Sequence, residues 1–227
     1  MDKLFEYFSK MIRETNIEFH RYIYSRINWE SRMIGLTGPR GVGKTTLVLQ
    51  HIKENLDLNE SLYVTAEDFY FASHRLLDLA DNFVKMGGKY LFVDEIHKYK
   101  DWSKELTLIY DYHSELHVVF TGSSILDLNK GASDLSRRAV MYQMQGLSFR
   151  EFLQLFHHIP SQIYSLQDII AHKVEIPGLE HPLPLFHEYL QKGYYPFALE
   201  NDYDIRLRQI LNLTLESDIP QFADMNV

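Results

Sequence analysis

The chain has 227 residues, 45% hydrophobic and 24% charged, with a formal net charge of −8. That length allows one substantial core, or one large and one small domain, and the acidic balance argues against a surface built to grip nucleic acid, although a local basic patch would survive it. Cysteine is absent, which removes disulfides and thiolate metal sites and fits a cytoplasmic setting; no apolar run approaches the ~20 residues of a membrane span, and the N-terminus does not read as a signal peptide.

Residues 1–30 open on an amphipathic helix with Leu4, Phe8, Met11 and Ile12 on one face, the pattern of a helix packed on a body. "RMIGLTG" reads as a strand ending at glycine. "KTTLVLQHIKENL" follows as a helix with Leu49, Ile52 and Leu56 on one side. "SLYVTA" is a second strand, and "RLLDLADNFVKMGG" is a helix stopped by Gly87 and Gly88. "KYLFVDE" is a third strand, "KELTLIYDYH" a helix, "HVVFTGSS" a fourth strand, and a fifth lies around Ala139 to Gln143. Strands alternating with helices imply crossover units and a parallel sheet. The cores "YLFV" and "VVF" are continuously apolar, as strands covered on both faces are. The expected fold is α/β, with a doubly wound, mainly parallel five-stranded sheet over residues 31–146.

After Gly146 the pattern becomes helical. "LSFREFLQLF" opens on Ser148 with Glu151 three places on, the arrangement of a capping box. "LPLFHEYLQKG" is a second helix. "DIRLRQILNLTLESDI" is a third, with Leu207, Ile210, Leu211, Thr214 and Leu215 as its expected inner stripe. Residues 147–227 therefore read as a smaller helical lid or C-terminal domain.

"GPRGVGKTT" lies between the first strand and the next helix. Gly38, Gly43, Lys44 and Thr45 satisfy the G-x-x-x-x-G-K-[ST] pattern of a phosphate-binding loop in the context that it requires. Small residues let backbone N–H groups converge on an anion, and the helix N-terminus adds a partial positive charge. The binding segment is Gly38, Pro39, Arg40, Gly41, Val42, Gly43, Lys44, Thr45 and Thr46. Lys44 is expected on the β- and γ-phosphates and the Thr45 hydroxyl on Mg²⁺. Arg40 has two readings, closing over the nucleotide or pairing with an acid.

The third strand ends in Asp94 and Glu95. An acid at the carboxyl end of a buried strand beside a phosphate loop is placed for a second metal contact, so Asp94 is expected on Mg²⁺ and Glu95 on the attacking water. His97 completes the string "DEIH" and reads more simply as a surface histidine near a helix start. At the end of the fourth strand Ser123, with Thr121 and Ser124 behind it, is either a reporter of the γ-phosphate or a helix N-cap. Arg137 and Arg138 precede the fifth strand. Arg138 reads as an arginine finger toward a neighbouring subunit, or as surface charge paired with Asp134.

Taken together, "GPRGVGKTT", "YLFVDEIHKYKDW", "VVFTGSSILDL" and "DLSRRAVMYQMQGLSFREFL" resemble the bacterial and archaeal AAA-superfamily ATPases related to the STAND-type switches. The likeness spans roughly residues 20 to 215. It implies Mg-ATP hydrolysis, a helical lid, and a further C-terminal domain of unknown function. By that resemblance Lys44, Thr45, Asp94, Glu95 and Ser123 carry the site roles, and ATP is preferred over GTP. The chain departs from the family in having Arg137 before Arg138, Tyr194 or Tyr195 where a glycine is usual before proline, and an end at Val227 that reads as truncated or naturally short.

The leading expectation is an ATPase that binds Mg²⁺, ATP and ADP and drives a conformational change, acting as a homo-oligomer or with an effector protein or domain and without a membrane. The alternative is a slow nucleotide-gated switch that signals through a partner. A helicase reading of "DEIH" is disfavoured by the acidic charge and by strands for only one core sheet. No basic lid for a second phosphorylated substrate supports a kinase.

Overall fold

In the computed structural model the apolar runs Met33–Thr37 (β1), Ser61–Thr65 (β2), Tyr90–Asp94 (β3), His117–Gly122 (β4) and Val140–Gln143 (β5) form one sheet in the order β2-β3-β4-β1-β5. The structure describes residues 1–123, 135, 137–198 and 200–218. Every pairing in the sheet is parallel. β1 is buried at all five positions, and β3 and β4 at all but the first. β5 is an edge strand, with Val140 and Met141 exposed.

The helices of this part of the chain are α1 (Asp2–Glu14), α2 (Lys44–Asn55), α3 (Leu76–Lys85) and α4 (Trp102–Tyr112). From β1 the chain crosses three positions to β2, then steps back through β3 and β4. Right-handed crossovers that reverse direction place their helices on opposite faces, and α2 packs with α1 while α3 packs with α4. That is a doubly wound sheet. α1 buries Leu4, Phe8 and Ile12 at a spacing of four, against β2 and α2. α2 buries seven residues from Lys44 to Ile52, so it is covered on more than one side. α3 stops where Gly87 takes a φ of +92°, a value that costs glycine little.

Two compact units are present, the second spanning Gly146–Ile210 and the first formed mainly by the residues before it. In the second unit Ser148 and Glu151 form a reciprocal capping box at the start of α5 (Phe149–His157). α6 (Leu166–Ile170) and α7 (Pro182–Lys192) follow. α5 and α7 meet through aromatic edges, with Phe149 against Phe186 at 5.2 Å and Phe152 against Tyr189 at 5.5 Å between ring centroids. α8 (Tyr203–Leu213) runs into a π-helical turn over Thr214–Asp218. Its stripe is less covered than the sequence suggested. Leu207, Ile210 and Thr214 are half-buried, while Leu211 and Leu215 are exposed. Helical period identifies a common face but does not supply the surface that buries it.

Candidate functional site

The phosphate loop is fixed by contacts from three directions. β1 ends at Thr37, and a Cβ at Gly38 would collide with the Met144 carbonyl oxygen, so only glycine fits there. Gly43 caps α2 with a φ of +97°, a left-handed value that favours glycine. Between them Val42 is fully buried and anchors the loop, while Pro39 and Arg40 are half-buried and Gly41 and Thr46 face solvent. Arg21, itself 5% exposed, donates from its guanidinium to the Val42 carbonyl at 2.5 Å and to the Gln145 carbonyl at 2.7 Å. A left-handed glycine leading into a helix N-terminus is the geometry from which anion nests are made.

Lys44 is also only 5% exposed, and its Nζ donates to the Gly38 and Pro39 carbonyls at 2.9 and 3.1 Å. The ammonium is thus held back across the mouth of its own loop. One residue on, the Thr45 hydroxyl donates to Asp94 Oδ2 at 2.6 Å.

Asp94 ends β3 and collects hydroxyl donors from three elements. Thr45 of α2 and Tyr63 of β2 (2.7 Å) reach Oδ2, and Thr121 of β4 reaches Oδ1. The parallel register brings these side chains to one edge of the sheet, since Thr37 pairs with Gly122, Val93 with Phe120 and Thr65 with Asp94. Thr121 Oγ1 also accepts from the Glu95 backbone N–H at 3.2 Å, so one hydroxyl spaces the two acids. A hydroxyl and a carboxylate are hard oxygen donors of the kind that Mg²⁺ takes. Because Thr45 gives its proton to Asp94, its lone pairs remain for a cation. Among the described residues no group of three or more His, Cys, Asp or Glu side chains gathers as a metal site of its own.

Glu95 leaves the strand in the left-handed region, with φ +51° and ψ +42°. A non-glycine residue there is uncommon. Burial pushes its carboxyl above the ordinary glutamate value; Asp94 and Glu67 add to the rise, and the charges of Lys44 and Arg40 oppose it. His97 is not on the surface. Its side chain is 2% exposed, with Nδ1 3.4 Å from Glu95 Oε2 and Nε2 3.2 Å from Ser123 Oγ. Burial, with help from Lys98, Arg40 and Lys44, lowers its pKa to about 4, so the ring is neutral at neutral pH. The fully buried Ile96 between them pins the turn that carries both side chains.

Lys44, Thr45, Asp94, Glu95, Thr121 and Ser123 therefore share the carboxyl edge of the sheet. Arg138 does not. It precedes β5, whose Val140 pairs with Ile34 and whose Gln143 pairs with Thr37, so it stands at the opposite edge from this chain's own phosphate loop. Its guanidinium forks onto Asp111 of α4, at 3.0 and 2.9 Å. Arg137 is exposed, and Ser124 and Asp134 lie outside the described residues. Two residues of the site, Arg21 and Tyr63, escaped the sequence, and a third, His97, was seen there but read more simply as a surface histidine. Arg21 lies in an irregular stretch with no motif. Tyr63 is an ordinary apolar-strand aromatic until strand order puts it beside Asp94. His97 was visible in "DEIH", but its burial was not.

A doubly wound parallel sheet with this loop after β1 and an acid at the end of β3, one strand over across β4, defines a P-loop nucleotide-binding protein of the ATPase type. The sequence pattern of the AAA domain family matches residues 30–153, and the chain belongs to that family. A comparison with curated proteins found no match. Among solved structures, Caenorhabditis elegans PCH-2 is similar at 16% identity and a TM-score of 0.42 over 87% of this chain and 59% of that one. A structure describing katanin self-assembly is similar at 15% identity and a TM-score of 0.40 over 77% of this chain and 64% of the other. The chain thus spans less than two thirds of either structure. Among the described residues, no helix is long and apolar enough to cross a membrane.

Proposed function

We propose that this chain hydrolyses Mg-ATP to ADP and phosphate and uses the reaction to drive a conformational change. The observation that carries this is the meeting of Lys44, Thr45, Asp94 and Glu95 at one edge of the sheet, with Thr45 bonded to Asp94 at 2.6 Å. Residues 38–46 cradle the phosphates through backbone N–H groups. Lys44 leaves the Gly38 and Pro39 carbonyls for the β- and γ-phosphates, a move within reach of its four-carbon stem. Thr45 and Asp94 would hold Mg²⁺, which when bound offsets the negative charge of the phosphate oxygens.

Glu95 takes the proton from the attacking water. The water oxygen forms a bond to the γ-phosphorus, and the bond from that phosphorus to the β–γ bridging oxygen breaks, releasing ADP. Burial supports this role, because a carboxylate whose pKa is raised is a better base. Ser123, next to β4 and within reach of His97, is proposed to sense the γ-phosphate. Arg138, on the far edge of the sheet, would serve a neighbouring subunit, which makes a homo-oligomer part of the proposal. A cytoplasmic location fits the lack of cysteine.

Phosphate release measured with ATP, in Mg²⁺ and in excess chelator, tests the proposal. Magnesium-dependent release that Lys44→Ala abolishes is expected. Tight ATP binding without release, in the presence and absence of candidate partners, would instead make the chain a nucleotide-gated switch.

A further inference from the structure

Resting on the ATPase reading of this site, we infer that His97 is a positioning residue that ties the base Glu95 to Ser123. Three observations carry it. The imidazole is sealed from solvent, at 2% exposure. It stands between the two side chains, with Nε2 3.2 Å from Ser123 Oγ and Nδ1 3.4 Å from Glu95 Oε2. Glu95 Oε2 and His97 Nδ1 are both buried and neither makes a hydrogen bond, although they face each other.

Two buried polar atoms at that separation are one small rotation from an N–H···O bond of about 3.0 Å. Leaving both unpaired is costly, since each has given up water without gaining a partner. Donor chemistry fixes which way the bond runs. An ionised carboxylate only accepts, so Nδ1 must carry the proton to bond Glu95. A neutral ring then has a bare Nε2, which accepts from the Ser123 hydroxyl. The chain of donors reads Ser123 O–H to Nε2, then Nδ1–H to Glu95 Oε2. Ser123 therefore selects the tautomer, and the tautomer orients the base.

This gives the site a way to read its substrate. A γ-phosphate oxygen is a stronger acceptor than a neutral imidazole nitrogen. When Ser123 turns its hydroxyl to such an oxygen, the ring loses the partner that holds its proton on Nδ1. The grip on Glu95 then loosens, and the carboxylate is released toward water only when a triphosphate is present. The left-handed backbone at Glu95 and the buried Ile96 keep the two side chains on one short turn, so the coupling needs no larger movement.

Nitrogen-15 NMR of the histidine rings in the nucleotide-free protein tests the link directly. His97, assigned by the signal lost in His97→Asn, is expected as the Nδ1–H tautomer and Ser123→Ala is expected to shift it toward Nε2–H. An Nε2–H ring in the parent, unchanged in Ser123→Ala, would overturn the inference. Kinetics supply the second arm. His97→Leu is expected to lower kcat for ATP at least about tenfold with KM held within about twofold, whereas His97→Asn, whose amide keeps a donor near Nδ1, restores most of the parent value. Loss of both kcat and KM, unrescued by asparagine, would mark His97 as structural packing. A parent with no turnover would defeat the ATPase reading instead, and the tautomer would still decide the link.

Discussion

The Thr45 hydroxyl donates to Asp94 Oδ2 at 2.6 Å, across 49 residues of sequence. The pair joins the first turn of α2 to the end of β3 and leaves the Thr45 oxygen with lone pairs for a cation. Replacing Thr45 with the isosteric valine is expected to weaken Mg-ATP binding by at least about tenfold, or 1.4 kcal/mol. Binding of ATP in excess chelator should change far less. Titration calorimetry with and without Mg²⁺ separates the two, and equal losses in both would show that Thr45 shapes the loop without serving the metal.

Arg21 braces the phosphate loop through the Val42 and Gln145 carbonyls. Arg21→Met leaves two carbonyls without this donor, of which the buried Val42 carbonyl carries a cost of about 1–3 kcal/mol while the Gln145 carbonyl is open to water. A fall in the thermal midpoint of at least a few degrees is expected, together with weaker ATP binding. Arg21→Lys should rescue neither fully, because one ammonium cannot span both carbonyls as a fork does. Unchanged ATP affinity in a folded Arg21→Met protein would confine the residue to stability.

Arg138 pairs with Asp111 at the edge of the sheet away from its own loop. The pair is partly exposed, so Arg138→Ala should cost no more than about 1 kcal/mol of stability. As a finger in trans it should lose on the order of 10³-fold in turnover with ATP binding kept. Mixing Arg138→Ala with Lys44→Ala subunits should then restore part of the activity. Equal turnover in Arg138→Ala and the parent would reduce it to a surface pair.

His51 is buried in α2 and stacked on Trp29 with ring centroids 3.8 Å apart. Burial lowers its pKa to about 4, against a small opposing effect of Glu54. The folded state therefore binds fewer protons than the unfolded state, where histidine titrates near 6.5. Its contribution to stability is complete above pH 6.5 and is lost as the pH falls toward 4. The melting midpoint should fall increasingly steeply as the pH is taken from 7 to 4.5. His51→Phe, which keeps the stack on Trp29, should show a shallower fall.

Much of this was legible in the sequence. The loop at 38–46 and the acids at 94 and 95 announce themselves because phosphate and metal chemistry require those residue types at fixed spacing. The strands were readable because both faces of the sheet are covered and their cores are continuously apolar. Strand order was not readable, since nothing in β2 says that Tyr63 will lie beside Asp94. Burial of a polar side chain was equally hidden. "DEIH" looks the same whether His97 meets solvent or is enclosed with Ser123. Arg21 was silent because its partners are backbone carbonyls, which leave no mark on the sequence.

The most direct test is the turnover of Glu95→Gln beside that of the parent, with ATP affinity measured for both. Glutamine keeps the shape of the side chain and removes its basicity. Parent turnover that falls by about 10²–10⁴-fold in Glu95→Gln, with ATP and Mg²⁺ bound as tightly as before, is expected. Parent-like turnover in Glu95→Gln would contradict the assignment of the base and with it the reading of the site as one that activates water through that carboxylate.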